Sequence, residues 1–333
     1  MYGYFARNDR LECEAMRILL IKTSSLGDVV HNLPVVADIH RHIKNATIDW
    51  VVEENFAEIP RLHAGVNRVI PVALRRWRKQ FLSGAAREQW RAFKRELRQY
   101  DYDAIIDTQG LLKSALIART AKGIRFGYDS ASAREPLASF SYQRKFTVAK
   151  APHAVERNRQ LVAQALGYEL DQAPSYGLHG LEAAPNMALK APYVVCLHAT
   201  SRDDKRWPEE NWLALGKWLG GKNIRCVFPG GSERERERGA RLASGLPCAQ
   251  ALAPCGLREM AVHLSNAVAV IGVDTGLTHL ACALDKPTIA LYCATHPGLT
   301  GVYGSALAVN LGSIGASPNV NDVTTTFVKL TTQ

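Results

Sequence analysis

The stretch Met16–Val30, MRILLIKTSSLGDVV, constrains the fold of this chain more than any other. Its apolar, β-branched run (Ile18, Leu19, Leu20, Ile21) reads as a buried parallel strand, because helices cover both faces of such a strand and no alternation is needed. The strand ends at Lys22. A loop of small residues (Thr23, Ser24, Ser25) leads through Gly27 and Asp28 into an amphipathic segment, Val29–Ile43, that reads as a helix. A strand, tight turn and helix in this order opens a doubly wound α/β domain, and such sheets bind ligands beyond the carboxyl ends of their strands.

The turn is not a dinucleotide fingerprint, since Gly27 is the lone glycine where G-x-G-x-x-G needs three. Asp28 admits two readings. Aspartate suits a helix N-terminus as a cap; a carboxylate at the end of a first strand also faces the ligand crevice, where a general base would stand.

A chain of 333 residues is comfortable as two domains. Its seven cysteines are odd in number and form no C-x-x-C pair, which predicts reduced core residues in a cytoplasmic protein and no zinc site. No apolar run reaches the roughly 18 residues that span a bilayer, and the N-terminus lacks a signal-peptide h-region, so a soluble, non-exported protein is expected. Residues 1–15 are polar and aperiodic and read as a disordered extension outside the fold. The formal charge of +10 implies an anionic partner: nucleic acid, an anionic membrane or a phosphorylated substrate. No nucleic-acid-binding motif is visible, so nucleic acid is not expected.

Further strands are predicted at Thr47–Val52, Arg68–Val72 and Asp103–Asp107, with helices between them. After the third comes Leu74–Lys79, LRRWRK, which sets Arg75, Arg76, Arg78 and Lys79 around Trp77. This is either a solvated basic helix start or a phosphate clamp at a membrane surface, where four cations would supply roughly 4 kcal/mol. Asp101-Tyr102-Asp103 matches a metal-binding D-x-D formally, but it lies at the entry of its strand, opposite the crevice. The exit, Asp107-Thr108-Gln109-Gly110 with Lys113 and Ser114, places polar groups at the crevice.

A helix over 150–166 closes the first domain (16–170), the Gly-, Pro- and Ala-rich segment 171–190 reads as a linker, and a second domain (191–333) restarts the alternation. Strands are predicted at Tyr193–Leu197, Ile224–Phe228, Ala267–Val273 and, last, Thr288–Tyr292. The first is followed by the loop HATSRDDKRW, with Thr200, Ser201 and Lys205, and a helix from Pro208. The second is followed by Pro229-Gly230-Gly231-Ser232 and a helix carrying Glu233, Glu235 and Glu237. The third runs into Asp274-Thr275-Gly276-Leu277-Thr278-His279 at a helix start, where free amides suit an anion and glycine lets it approach. Helix capping by Asp274 and Thr275, and a core role for His279, are the competing readings.

Seven ordered segments, KTSSLGDVVHNLP, IDWVVEENFAEIP, RVIPVALRRWRK, YDAIIDTQGLLKSA, AREPLASF, HATSRDDKRWPEENW and VDTGLTHLACALDKP, closely resemble the lipopolysaccharide heptosyltransferase family. The resemblance runs from Met16 to the last predicted strand. It implies an α/β GT-B architecture, two Rossmann-like doubly wound parallel-sheet domains facing across a cleft, with an N-terminal acceptor domain and a C-terminal donor domain. It further implies inverting transfer of L-glycero-D-manno-heptose from its ADP-activated form to the inner Kdo of Kdo-lipid A, without metal or cofactor, by a cytoplasmic enzyme peripheral on the inner face of the inner membrane. Addition of the second heptose, or another GT-B nucleotide-sugar transfer, is the alternative.

Carried onto this sequence, the resemblance makes Asp28 the base and places the acceptor on Ser25, Gly27, Arg75, Arg76, Arg78 and Lys79. The donor falls on Thr200, Ser201, Lys205, Glu235, Asp274, Thr275, Gly276, Leu277 and His279. Where many relatives read Y-G-P-T after the last strand, this chain has Tyr292-Cys293-Ala294-Thr295.

Overall fold

The computed structural model describes residues 15–80, 83–178, 181, 189 and 192–332. Nearly all of the N-terminal extension and half of the linker segment 171–190 therefore lie outside the described residues. The chain divides after Gly177 into two compact units.

Unit 1 opens with β1 (Arg17–Ile21), whose Ile18, Leu19, Leu20 and Ile21 are all fully buried, as a strand covered on both faces requires. The segment predicted as one helix is two, α1 (Leu26–Val30) and α2 (Leu33–His42). Pro34 has no N–H to extend a helix and sits instead in the first turn of α2, where none is needed. Next come β2 (Thr47–Glu53), α3 (Glu58–Arg61), β3 (Arg68–Val72), α4 (Leu74–Lys79), α5 (Gly84–Leu97) and β4 (Asp101–Asp107). The unit continues with α6 (Leu112–Thr120), β5 (Lys122–Tyr128), a 3₁₀ helix (Pro136–Ser141), β6 (Arg144–Phe146) and α7 (Ala154–Leu166). The strands form one parallel sheet in the order β3-β2-β1-β4-β5-β6.

Unit 2 repeats the plan with β7 (Tyr193–Leu197), α8 (Glu209–Gly220), β8 (Arg225–Phe228), α9 (Glu233–Ser244), β9 (Ala249–Ala251), α10 (Leu257–Ser265), β10 (Ala269–Val273), α11 (Gly276–Ala283), β11 (Thr288–Tyr292), β12 (Ala308–Gly312) and α12 (Val320–Thr331). The strand predicted as last, β11, is followed by β12 on its outer edge. The parallel order β12-β11-β10-β7-β8-β9 is the same doubly wound topology read from the other edge. In each unit the strand order reverses at one place, between β1 and β4 and between β7 and β10, and a doubly wound sheet takes its ligand just beyond the strand ends there.

Candidate active site

In unit 1 the turns after β1 and β4 are stitched together. Gln109 Oε1 accepts the amides of Thr23 (3.1 Å) and Ser24 (3.2 Å), and the buried Lys22 ammonium donates to the Thr108 carbonyl (2.8 Å) and to Asn158 Oδ1 of α7 (3.1 Å). Burial pushes the Lys22 pKa down to about 8, against the pull of Asp28 and Asp107. Asp107 closes the β4 turn by accepting the Gln109 and Gly110 amides and the Tyr142 hydroxyl (2.7 Å). That ring lies so close over Gly127 that a β-carbon there would meet it at 2.4 Å. The polar exit of the fourth strand is thus a brace for the turn that carries Asp28.

Asp28 is not an N-cap. Ser25 holds that position, and Asp28 is the third residue of α1, its Oδ2 accepting the Ser25 amide at 2.8 Å in a capping box. Arg134, from the loop before the 3₁₀ helix, clamps both carboxylate oxygens, at 2.7 Å on Oδ1 and 3.2 Å on Oδ2. Burial raises the carboxyl pKa, but the cations of Lys22 and Arg134 and the hydrogen bonds outweigh it and leave Asp28 below the usual carboxylate range. The carboxylate is therefore ionised at neutral pH, and Oδ1 keeps a lone pair for a proton. Capping uses Oδ2, so it does not occupy the oxygen that base chemistry would need. Gly27 lies in the same short helix.

The four cations of α4 divide. Arg76 is paired, donating from Nε and NH2 to the two Glu54 oxygens (3.0 and 2.8 Å) and from NH1 to Gln89 (2.7 Å). Arg75 uses its amide on Glu53 and sets its guanidinium 5.6 Å from the Phe56 ring, while Arg78 and Lys79 are exposed. Arg75, Arg78, Trp77, Trp90 and Lys113 line a cavity of about 600 Å³, and Lys113 donates to Ser24 Oγ at 2.8 Å, which joins the cavity wall to the Asp28 turn. Asp101 and Asp103 stay at the far end of β4, beside Lys122 and the Arg17 amide.

In unit 2 the turn after β10 is organised by Asp274. Its Oδ2 accepts Lys205 Nζ (2.7 Å) and Thr295 Oγ1 (2.8 Å), its Oδ1 lies 3.8 Å from His279 Nε2, and its carbonyl accepts the Thr200 hydroxyl (3.0 Å). Burial raises the Asp274 pKa, yet the hydrogen bonds from His279, Lys205 and Thr295 overcome it and hold the carboxyl far below the ordinary range. Thr275 is the N-cap of α11, but no side chain caps the helix, so first-turn amides at Gly276 and Leu277 are left to an anion. A β-carbon on Gly272 would meet Thr278 Oγ1 at 2.3 Å, so only glycine lets α11 start this close to β10. Ser201 is exposed at the loop tip. Glu235 caps its own helix, its Oε2 accepting the Gly231 and Ser232 amides (2.8 and 2.9 Å).

Residues at these sites that escaped the sequence reading include Lys22, Arg134, Tyr142, Asn158 and Thr295. Arg134 stands in the quoted segment AREPLASF, and Thr295 in the four residues where this chain departs from Y-G-P-T.

Two doubly wound parallel sheets, one carrying an ionised carboxylate at its switch point and the other an anion-receptive helix start beside a lysine, define a two-domain group-transfer enzyme of the nucleotide-sugar class. The sequence matches glycosyltransferase family 9 (heptosyltransferase) over residues 90–327, and the chain belongs to that family. It is 50% identical over 301 residues to lipopolysaccharide heptosyltransferase 1 of Pseudomonas aeruginosa, covering 90% of this chain and 84% of that one. Among solved structures it is similar to E. coli heptosyltransferase WaaC with ADP (TM-score 0.89, 44% identity, 95% of this chain and 100% of that one). The same enzyme with ADP-2-deoxy-2-fluoro heptose gives a TM-score of 0.84 at 43% identity, covering 94% and 99%. Lipopolysaccharide heptosyltransferase 2 of E. coli K12 aligns over just 29% of the chain, at 28% identity.

Proposed function

We propose that this enzyme moves L-glycero-D-manno-heptose from ADP-heptose to the inner Kdo of Kdo-lipid A, with inversion at the anomeric carbon. The observation that carries the reading is the Asp28 carboxylate, ionised and clamped at the β1/β4 switch point of a chain half identical to a heptosyltransferase 1. The far weaker and shorter match to a heptosyltransferase 2 favours the first transfer over the second.

In this mechanism Asp28 Oδ1 accepts the proton of the attacking Kdo hydroxyl as the new glycosidic bond forms. The bond from the anomeric carbon to the diphosphate oxygen breaks through an oxocarbenium-like state, and ADP leaves with the electron pair. Because Asp28 is a weak base, proton transfer is late. Lys205, now released from Asp274, and the first-turn amides of α11 receive the charge growing on the diphosphate, which is the role a metal ion plays elsewhere. Arg75, Arg78 and Lys79 are left for the anionic groups of the acceptor, Arg76 being held by Glu54. The lipid acceptor and the basic segment support a peripheral position on the cytoplasmic face of the inner membrane.

The test is mass spectrometry of products from purified protein, ADP-heptose and either Kdo-lipid A or an acceptor that already carries one heptose. Addition of a single heptose to the first supports the reading. Addition solely to the second moves the enzyme to the next step.

A further inference from the structure

Large apolar side chains left in solvent gather on one face of unit 1. Leu112 (42% exposed) and Leu116 (60%) stand one turn apart on α6, and Leu137 (62%) and Phe140 (76%) stand three residues apart on the 3₁₀ helix. Each spacing puts its pair on one side of its helix. The two elements pack through Ala115 and Ala138, with Tyr142 beneath, and these small contacts turn the longer side chains outward. The other strongly exposed large hydrophobics among the described residues, Leu299, Ile314 and Val328, belong to three separate segments of unit 2. Gathered apolar surface of this kind marks an interaction site, whereas scattered residues need no explanation.

Two cations border the face. Lys145 Nζ lies 5.5 Å from the Phe140 ring centre, and Arg119 occupies the last turn of α6. Glu135, which directly precedes the 3₁₀ helix, is spent on the Leu112 amide at the start of α6. The face also adjoins the proposed acceptor site: Lys113, next to Leu112, reaches Ser24, and Arg134, two residues before Pro136, clamps Asp28.

We propose that the face formed by α6 and the 3₁₀ helix is the surface that enters an anionic bilayer, with Leu116, Leu137 and Phe140 at the headgroup–acyl boundary and Lys145 and Arg119 on lipid phosphates. An amphipathic surface with cations around apolar side chains binds in this way, its strength set by apolar burial plus attraction to anionic lipid. Pairing with a second copy would oppose Lys145 and Arg119 to themselves in a chain of net charge +10, so a bilayer is the better complement. The inference rests on the function proposed above in one respect, that the nucleophile arrives on a membrane lipid.

The experiment is flotation of the full-length protein with phosphatidylcholine vesicles containing or lacking phosphatidylglycerol, with neither donor nor acceptor present. The double variant Leu116→Ser/Phe140→Ser should lose roughly tenfold or more of its partition onto anionic vesicles, while its turnover of a soluble, deacylated acceptor stays within about twofold of wild type. Phe140→Trp keeps the apolar contact and should shift its emission to the blue when anionic vesicles are added. Unchanged partition of the double variant, or a dimer that both serines dissolve while vesicle binding persists, would overturn the proposal. Flotation involves no chemistry, so failure of heptose transfer and failure of docking are read separately.

Discussion

Arg134 holds both oxygens of Asp28, one at 2.7 Å and the other at 3.2 Å, across 106 residues of sequence. The pair fixes the carboxylate beside the turn after β1 and keeps it ionised, as the base role proposed for it requires.

Removing that cation should move the acid limb of the pH profile. With Arg134 in place the Asp28 pKa is depressed, so the base form survives to low pH. Arg134→Gln should raise it and shift the acidic limb of kcat/KM to higher pH, alongside a fall in kcat from lost orientation. An acid limb that stays where it was would show that Asp28 does not set it.

In unit 2 the test is stability against pH. Asp274 is depressed in the folded state, so its contribution is complete above the unfolded carboxylate pKa of about 3.9 and fades as pH falls through the depressed value. Asp274→Asn should therefore cost about 1.5–3 kcal/mol at neutral pH, with the gap to wild type closing in the acid range below about pH 4. Thermal melts of both proteins from pH 7 downward would check it.

Lys205 is predicted to exchange Asp274 for the donor diphosphate. Lys205→Ala should weaken ADP-heptose binding by about tenfold to a hundredfold, the worth of one charged hydrogen bond, while acceptor KM is unchanged. Calorimetric titration with ADP-heptose in the absence of acceptor gives the number directly.

A purely structural pair offers a control. Arg159 donates to both Asp38 oxygens (2.7 and 3.1 Å), a deeply buried pair, and to the Gln172 carbonyl (2.8 Å) nearer the surface. Arg159→Met leaves Asp38 without its main partner and should cost roughly 3–5 kcal/mol by denaturant unfolding, with little change in kcat per folded molecule.

What could be read from the sequence follows from how local each signal is. The run Ile18–Ile21 and the turn to Asp28 are contiguous, and β1 and its switch point follow from them. The single helix over Val29–Ile43 failed at one residue, Pro34, whose ring outweighs the continuing apolar pattern. The strand β5, KGIRFGY, escaped because two glycines and two cations leave no apolar run, and β6 and β9 are edge strands of three residues each. Arg134 and Thr295 escaped for a different reason: each meets its aspartate through the fold, and nothing beside them in the chain announces the contact.

The most direct measurement is single-turnover transfer by wild type and Asp28→Ala, each with and without EDTA, beside calorimetric titration of both proteins with ADP-heptose. The account predicts transfer that EDTA leaves intact, a rate about 10²–10⁴-fold lower in the variant, and equal donor affinity. Transfer that EDTA abolishes and Mg²⁺ restores would contradict the metal-free diphosphate site, and a variant that loses the donor while keeping its rate at saturation would remove Asp28 from the chemistry.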